Sequence, residues 1–158
     1  MQKEINIQGE VFLLCDDKSN LQLSVIHDYL TTSYWSEGIS SELIDRAIAN
    51  SLCFGLYLNA QENGQEISRQ QIGFARVTTD KASFAYLADV FILPAYENLG
   101  LGSALVSFVM QHNDLQGLRR FMLCTRDAHG LYKKFGFTEV DNPKMMMQIS
   151  KQGLYLPT

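Results

Sequence analysis

No stretch of this chain approaches the roughly 18 consecutive apolar residues that a membrane span requires. Proline is scarce, with three residues in 158, and tryptophan occurs once. The three cysteines, Cys15, Cys53 and Cys124, are odd in number and far apart. No Cys-x-x-Cys or His-x-x-x-His spacing offers a structural zinc site, so no metal is expected. Each cysteine sits in an apolar run, where a free thiol behaves as a small hydrophobe. All three are therefore expected to be buried and reduced, in a cytoplasmic protein. The run Met1-Gln2-Lys3-Glu4-Ile5-Asn6 lacks the apolar core and cleavage site of a signal peptide. Basic residues are outnumbered, 13 against 17 acidic ones, for a net charge of −4. That balance argues against nucleic acid or an anionic membrane as partner.

What is present suits one globular domain over residues 1–158, with 46% apolar and 19% charged residues. Residues 10–15 are β-branched and apolar enough for a first strand. Leu23, Ile26 and Leu30 follow at helical spacing, and Ser40-Ser41-Glu42 opens a second short helix carrying Leu43, Ala47 and Ile48. Ser51–Leu58, Ile72–Thr78 and Phe84–Leu93 read as strands, with a polar turn over Asn59–Gln70 and a tight turn at Thr79-Asp80-Lys81. A helix starts near Gly100, with Leu101, Leu105, Phe108, Val109 and His112 on one face. Arg119–Thr125 reads as a strand, Asp127–Phe135 as a helix, and Phe137–Val140 and Lys144–Ile149 as closing strands. The class is α+β, with a mixed central sheet and helices on both faces.

The segment Asp89 to Ser103 runs from a buried strand through Pro94 into a glycine-rich helix start, Asn98-Leu99-Gly100-Leu101-Gly102-Ser103. Glycines there let the backbone approach a ligand, and the free N–H groups of a first helical turn bind anions such as pyrophosphate. Gly-x-Gly alone is a weak signal, because glycines are common at helix starts. A dinucleotide fingerprint needs a third glycine where Leu105 stands, and a phosphate-binding P-loop needs Gly-Lys-Ser/Thr, which is missing.

A second segment, Ala128-His129-Gly130-Leu131-Tyr132-Lys133-Lys134-Phe135-Gly136-Phe137, follows some thirty residues on. Together with Ile92-Leu93-Pro94 through Gly100-Leu101-Gly102, it resembles the GNAT superfamily of acyl-CoA-dependent N-acyltransferases, in a small bacterial-type single-domain form. The order of elements resembles that family too, over nearly the whole chain. The resemblance implies acetyl-CoA as co-substrate and transfer of its acetyl group to a primary amine by direct attack. The acceptor is left open between a small molecule and a peptide. The pyrophosphate would lie on the backbone of Glu97, Asn98, Leu99, Gly100, Leu101, Gly102 and Ser103. The pantetheine arm would pair with Phe91, Ile92 and Leu93, and Thr125, Ala128, Tyr132 and Lys133 complete the cofactor side. Two positions depart from the family pattern. Glu97 replaces the usual arginine or glutamine, and its carboxylate is expected to turn away from pyrophosphate. Thr125 replaces a common asparagine.

Tyr132 matches the family tyrosine proposed to protonate the departing thiolate, a phenol and an alkyl thiol having comparable ordinary pKa values. Its alternative is an aromatic residue packed over its helix. Asp89 lies among apolar neighbours, where an unpartnered carboxylate is costly to bury. It reads as the base or amine-binding group, or as a structural partner of Arg76. Arg76, with Tyr34 and Trp35, belongs to the acceptor side, where an aromatic wall and Glu37 would meet an amine. Trp35 reads equally as packing for the helix pair.

Two rival readings remain. Cys124, Asp127 and His129 lie within six residues and could form a thiol nucleophile with its base. A catalytically weak acyl-CoA-binding sensor or interaction module is the other. Dimerisation is common in the family, and nothing in the sequence specifies an interface. Charge is divided: residues 1–68 hold ten acidic and three basic side chains, and residues 69–158 seven and ten. The basic half contains both motifs, which suits a polyanionic cofactor. The acidic half carries the acceptor loop, which suits an amine.

Overall fold

Ile5 and Ile7 stand two apart and are both half-buried, the pattern of a strand with one face on a core. They belong to β1 (Gln2–Ile7), which pairs antiparallel with β2 (Glu10–Cys15), so the N-terminus forms a hairpin rather than the single strand expected. The computed structural model describes residues 1–62, 65–151 and 153–156. α1 (Leu23–Leu30) and α2 (Ser41–Ala49) follow at the expected places. Ile44 and Ile48 are the buried residues of α2, with Leu43 and Ala47 half-buried beside them.

β3 (Leu52–Glu62) and β4 (Gln65–Thr79) form a long hairpin. The expected polar turn over Asn59–Gln70 is mostly strand, and its tip, Asn63-Gly64, lies outside the described residues. β5 (Phe84–Ile92), α3 (Leu101–Met110), β6 (Arg120–Leu123) and α4 (His129–Lys133) complete the regular elements. The six strands lie side by side in chain order, antiparallel except for the parallel pair β5–β6.

Period-2 alternation divides the core between the two faces of this sheet. Phe12, Leu14, Phe54, Leu56, Ala75 and Val77 pack with Leu101, Leu105 and Phe108 of α3. Phe74 and Phe91 pack instead with Ile26 and Leu30 of α1 and Ile44 and Ile48 of α2. Helices therefore cover both faces.

Residues 137–140 and 144–149 form no strand among the described residues. Pro143–Met145 is a single 3-10 turn, and Met147 and Ile149 are each 97% exposed. A β-prone run becomes a strand only where a neighbour takes its backbone groups, and these residues pair with no described strand.

Asp80 organises the β4–β5 turn. Its Oδ1 accepts from the N–H groups of Ala82 (3.0 Å), Ser83 (2.8 Å) and Phe84 (3.0 Å), and its Oδ2 from Ser83 Oγ (2.6 Å). The Ser83 hydroxyl first, then these amides, hold the Asp80 carboxyl well below the usual carboxylate range. A depressed folded-state pKa stabilises the fold above the unfolded value, about 4, and that contribution is lost as pH falls through the folded value. Asp80→Asn should therefore lower Tm near neutrality and flatten its decline below about pH 4, as a thermal-melt series in pH would show.

Candidate active site

β5 and β6 pair only from Phe84↔Arg120 to Leu87↔Leu123. β6 then ends, while β5 continues to Ile92 against β4 alone. From Ala88 onward β5 thus has a free edge, and the two parallel strands open into a fork. At the branch point the β4–β5 register slips by one residue between Phe74↔Phe91 and Arg76↔Ala88. Asp89 sits in this bulge at φ 52°, a left-handed conformation that aspartate tolerates better than most residues.

Both Asp89 oxygens are engaged. Oδ2 accepts from Arg76 Nε at 2.6 Å, and Oδ1 from the Trp35 indole Nε1 at 3.2 Å. Arg76 Nη1 reaches on to Ser51 Oγ (3.1 Å) and Thr78 Oγ1 (3.2 Å). The pair is largely buried, with side chains 18% and 13% exposed.

A cleft of about 520 Å³ occupies the fork, and it brings Tyr34, Trp35, Arg76, Asp89, Thr125, Ala128 and Tyr132 together. Tyr132, on α4, is 8% exposed and packs edge-on against Phe137. Burial first, then Tyr34 and Asp127, push its phenol up to about 12. The near match of phenol and thiol expected from ordinary values therefore does not hold here. Thr125 Oγ1 accepts from the Ala128 N–H at 3.0 Å and so closes the turn that leads into α4. Lys133 stands apart from the cleft. It lines a neighbouring cavity of about 430 Å³ with Phe137 and Val140, and its ammonium lies 3.8 Å from Glu139.

At the far end of β5, the chain turns through Pro94–Tyr96 and enters α3. Asn98 (φ 63°) and Gly100 (φ 79°) both take left-handed conformations there. The first helical bond runs from Ala104 N to Gly100 O (3.1 Å), leaving the N–H groups of Leu101, Gly102 and Ser103 without a backbone partner among the described residues at the start of α3. Phe91 is buried, Ile92, Leu93 and Leu99 are half-buried, and Glu97 and Asn98 are exposed.

The sequence reading passed over Tyr29 and Arg126. Tyr29 stacks on Phe91 with ring centroids 3.9 Å apart, and burial, followed by Glu97 and Asp127, raises its pKa. Its signal was present, since it lies three residues after Ile26 on the same helical stripe. Arg126 lies over the Tyr34 ring at 3.9 Å, and its backbone N–H donates to the Tyr34 hydroxyl at 3.3 Å. This clasp joins the loop after α1 to the loop after β6 across the mouth of the cleft. Arg126→Ala should raise the acceptor KM about five-fold, the scale of an exposed cation–π contact, in steady-state kinetics.

Cys15 and Cys53 are buried, but Cys124 is exposed, contrary to expectation, because β6 ends one residue before it. Cys124 lines the cleft beside Tyr86, whose phenol is raised to about 12 by burial first and then by the neighbouring Cys124. No ion pair or hydrogen bond links Cys124 to His129 among the described residues. No group of three or more candidate metal ligands occurs among them, and no described helix is long and apolar enough to cross a membrane.

The profile of the acetyltransferase (GNAT) domain matches residues 53–139. A candidate acetyltransferase of Gibberella zeae is 32% identical over 137 residues, covering 78% of this chain and 76% of that protein. A crystal structure of a GNAT-family candidate acetyltransferase from Xanthomonas campestris pv. campestris shares 44% identity, at a TM-score of 0.81, covering 92% of this chain and 97% of that one. A candidate acetyltransferase of Clostridium acetobutylicum, crystallised with acetyl-CoA, shares the fold at a TM-score of 0.57 and 16% identity, over 95% of this chain and 96% of that one.

Proposed function

The chain belongs to the GNAT acetyltransferase family, and from that premise we propose that it transfers the acetyl group of acetyl-CoA to a primary amine in the fork between β5 and β6. The observation that carries this reading is the free edge of β5 from Ala88 to Ile92. It leads from the cleft that holds Tyr132 to the unpaired N–H groups at the start of α3. An extended pantetheine arm fits that edge as an added strand. The pyrophosphate fits the helix start, where Gly100 and Gly102 leave the backbone open. The acetyl-CoA found with the Clostridium acetobutylicum protein supports the same choice of co-substrate.

Acetyl-CoA supplies an activated acyl group on a thiol leaving group. The protein positions, polarises and manages protons. Backbone N–H groups on the free edge of β5 are available to hold the carbonyl oxygen. Asp89, paired with Arg76, orients the amine through the second lone pairs of its carboxylate; as the C–N bond forms and the C–S bond breaks, the proton that the amine sheds passes to the departing sulfur, directly or through water, so that CoA leaves as its thiol. Tyr132 keeps its proton across the physiological range and offers it as a hydrogen bond to the departing sulfur. The test is direct. With acetyl-CoA and a panel of amines, thiol release should match acetylated amine one for one, and CoA binding without turnover on any amine would overturn the reading.

A further inference from the structure

Behind the Arg76–Asp89 pair lies a second, smaller cavity of about 160 Å³. Apolar side chains of α1, α2 and β4 line most of it, Leu30, Ile44, Ala47, Ile48 and Phe74, with Ile39 between the helices, while Ser36, Arg76 and Asp89 make the rest polar. Trp35, Arg76 and Asp89 line both this cavity and the large cleft, so the Asp89 carboxylate stands on the wall that the two volumes share. The remaining side is closed by Tyr155 from the C-terminal segment. That segment seats its backbone against Gly38, where a Cβ would come within 2.7 Å of the Tyr155 carbonyl oxygen.

Interiors are close-packed, so a pocket of this size kept open beside a largely buried charged pair is unusual. Apolar cavities of about 150 Å³ stay dry and accept a molecule the size of benzene. One placed beside a reacting group is therefore suited to a compact hydrocarbon group.

We propose that this cavity is the acceptor's specificity slot, and that the acceptor is a small primary amine bearing a compact apolar group of about six carbons or fewer, held with its nitrogen at Asp89. The inference rests on the acetyltransferase reading for its chemistry, and on the cavity alone for its selectivity. A polyamine or a protein lysine fits the slot poorly, because its hydrocarbon stem runs on within a few carbons to a second charge or a peptide backbone that the apolar part of the slot would have to desolvate.

Trp35 is the only tryptophan of the chain and lines the slot, so intrinsic fluorescence reports occupancy independently of turnover. Isopentylamine, methylamine, spermidine and a lysine peptide are titrated into the full-length protein and assayed for acetylation. Isopentylamine should produce a saturable change in Trp35 emission, and its kcat/KM should exceed that of methylamine about 100-fold, as burial of four carbons implies. Ala47→Leu, which fills the slot, should reduce that preference at least about ten-fold while CoA binding shows the fold intact. Saturable binding of isopentylamine with no acetylation of any amine would retain the slot and overturn the transferase reading. Acetylation of spermidine or the peptide, with no Trp35 response to isopentylamine, would overturn the slot and leave the transferase. Neither binding nor acetylation of isopentylamine would overturn the slot as well.

Discussion

Tyr132→Phe is expected to lower kcat about 100-fold while leaving CoA affinity unchanged, the lower end of what a positioned proton donor contributes. The substitution removes one oxygen and keeps the ring that packs against Phe137, so loss of fold does not account for such an effect. The lower end applies because burial raises the phenol to about 12, well above an alkyl thiol near 8.5. Full proton transfer to the thiolate is then uphill, and the phenol acts mainly as a hydrogen-bond donor. The sign for pH follows. A raised phenol pKa keeps the donor form present through neutral and moderately alkaline solution, so Tyr132 contributes no fall in rate up to about pH 10. An alkaline limb near pH 10 that disappears in Tyr132→Phe would contradict this assignment.

Breaking the Arg76–Asp89 pair from one side should have the largest effect on stability. Arg76→Met leaves a largely buried carboxylate with only the Trp35 indole as partner, and Asp89→Leu leaves a guanidinium held by two hydroxyls. Removing one partner of a buried pair destabilises by about 3–5 kcal/mol, and the partial exposure here argues for about 3. The double variant Arg76→Met/Asp89→Leu should recover part of that loss, because no uncompensated charge remains, while leucine at the left-handed φ of 52° keeps a backbone cost. Activity separates the roles of Asp89. If it orients the amine, the recovered double variant has a raised acceptor KM with a modest change in kcat. A collapse of kcat at unchanged KM would make it a base. Unfolding titrations and steady-state kinetics on the four proteins give both answers.

The helices and central strands were legible in the sequence wherever a strong period met a clear boundary. α1, α2 and α3 appear where Ile26, Ile48 and Leu105 place them, and β5 ends before Pro94 as its missing N–H requires. Short or partner-dependent elements were not legible. β1 carries only Ile5 and Ile7 as apolar signals, and its existence depends on pairing with β2. Residues 144–149 have β-prone side chains and no partner strand, so propensity misleads there.

Residue type, spacing and the family resemblance singled out the glycine turn, Tyr132 and Asp89, and the structure brings Tyr132 and Asp89 into one cleft with the glycine turn at the far end of β5. The fork was not legible, since it depends on where one pairing stops, and the bulge at Asp89 is a register event without a motif. Arg126 over Tyr34 joins residues 92 positions apart, beyond any local pattern. The charge division of the sequence also resolves differently in space. Lys133 faces Glu139 outside the cleft, while Arg126 lies over an aromatic ring of the acidic half.

We propose that the free edge of β5 and the start of α3 together hold the acyl-CoA. Amide hydrogen exchange with and without CoA tests it most directly. Protection should concentrate in segments covering Ala88–Ile92 and Leu101–Ser103, with β1 and β2 unchanged. Saturating CoA that leaves both segments unprotected, or that protects instead the cavity beside Lys133 and Phe137, would contradict it.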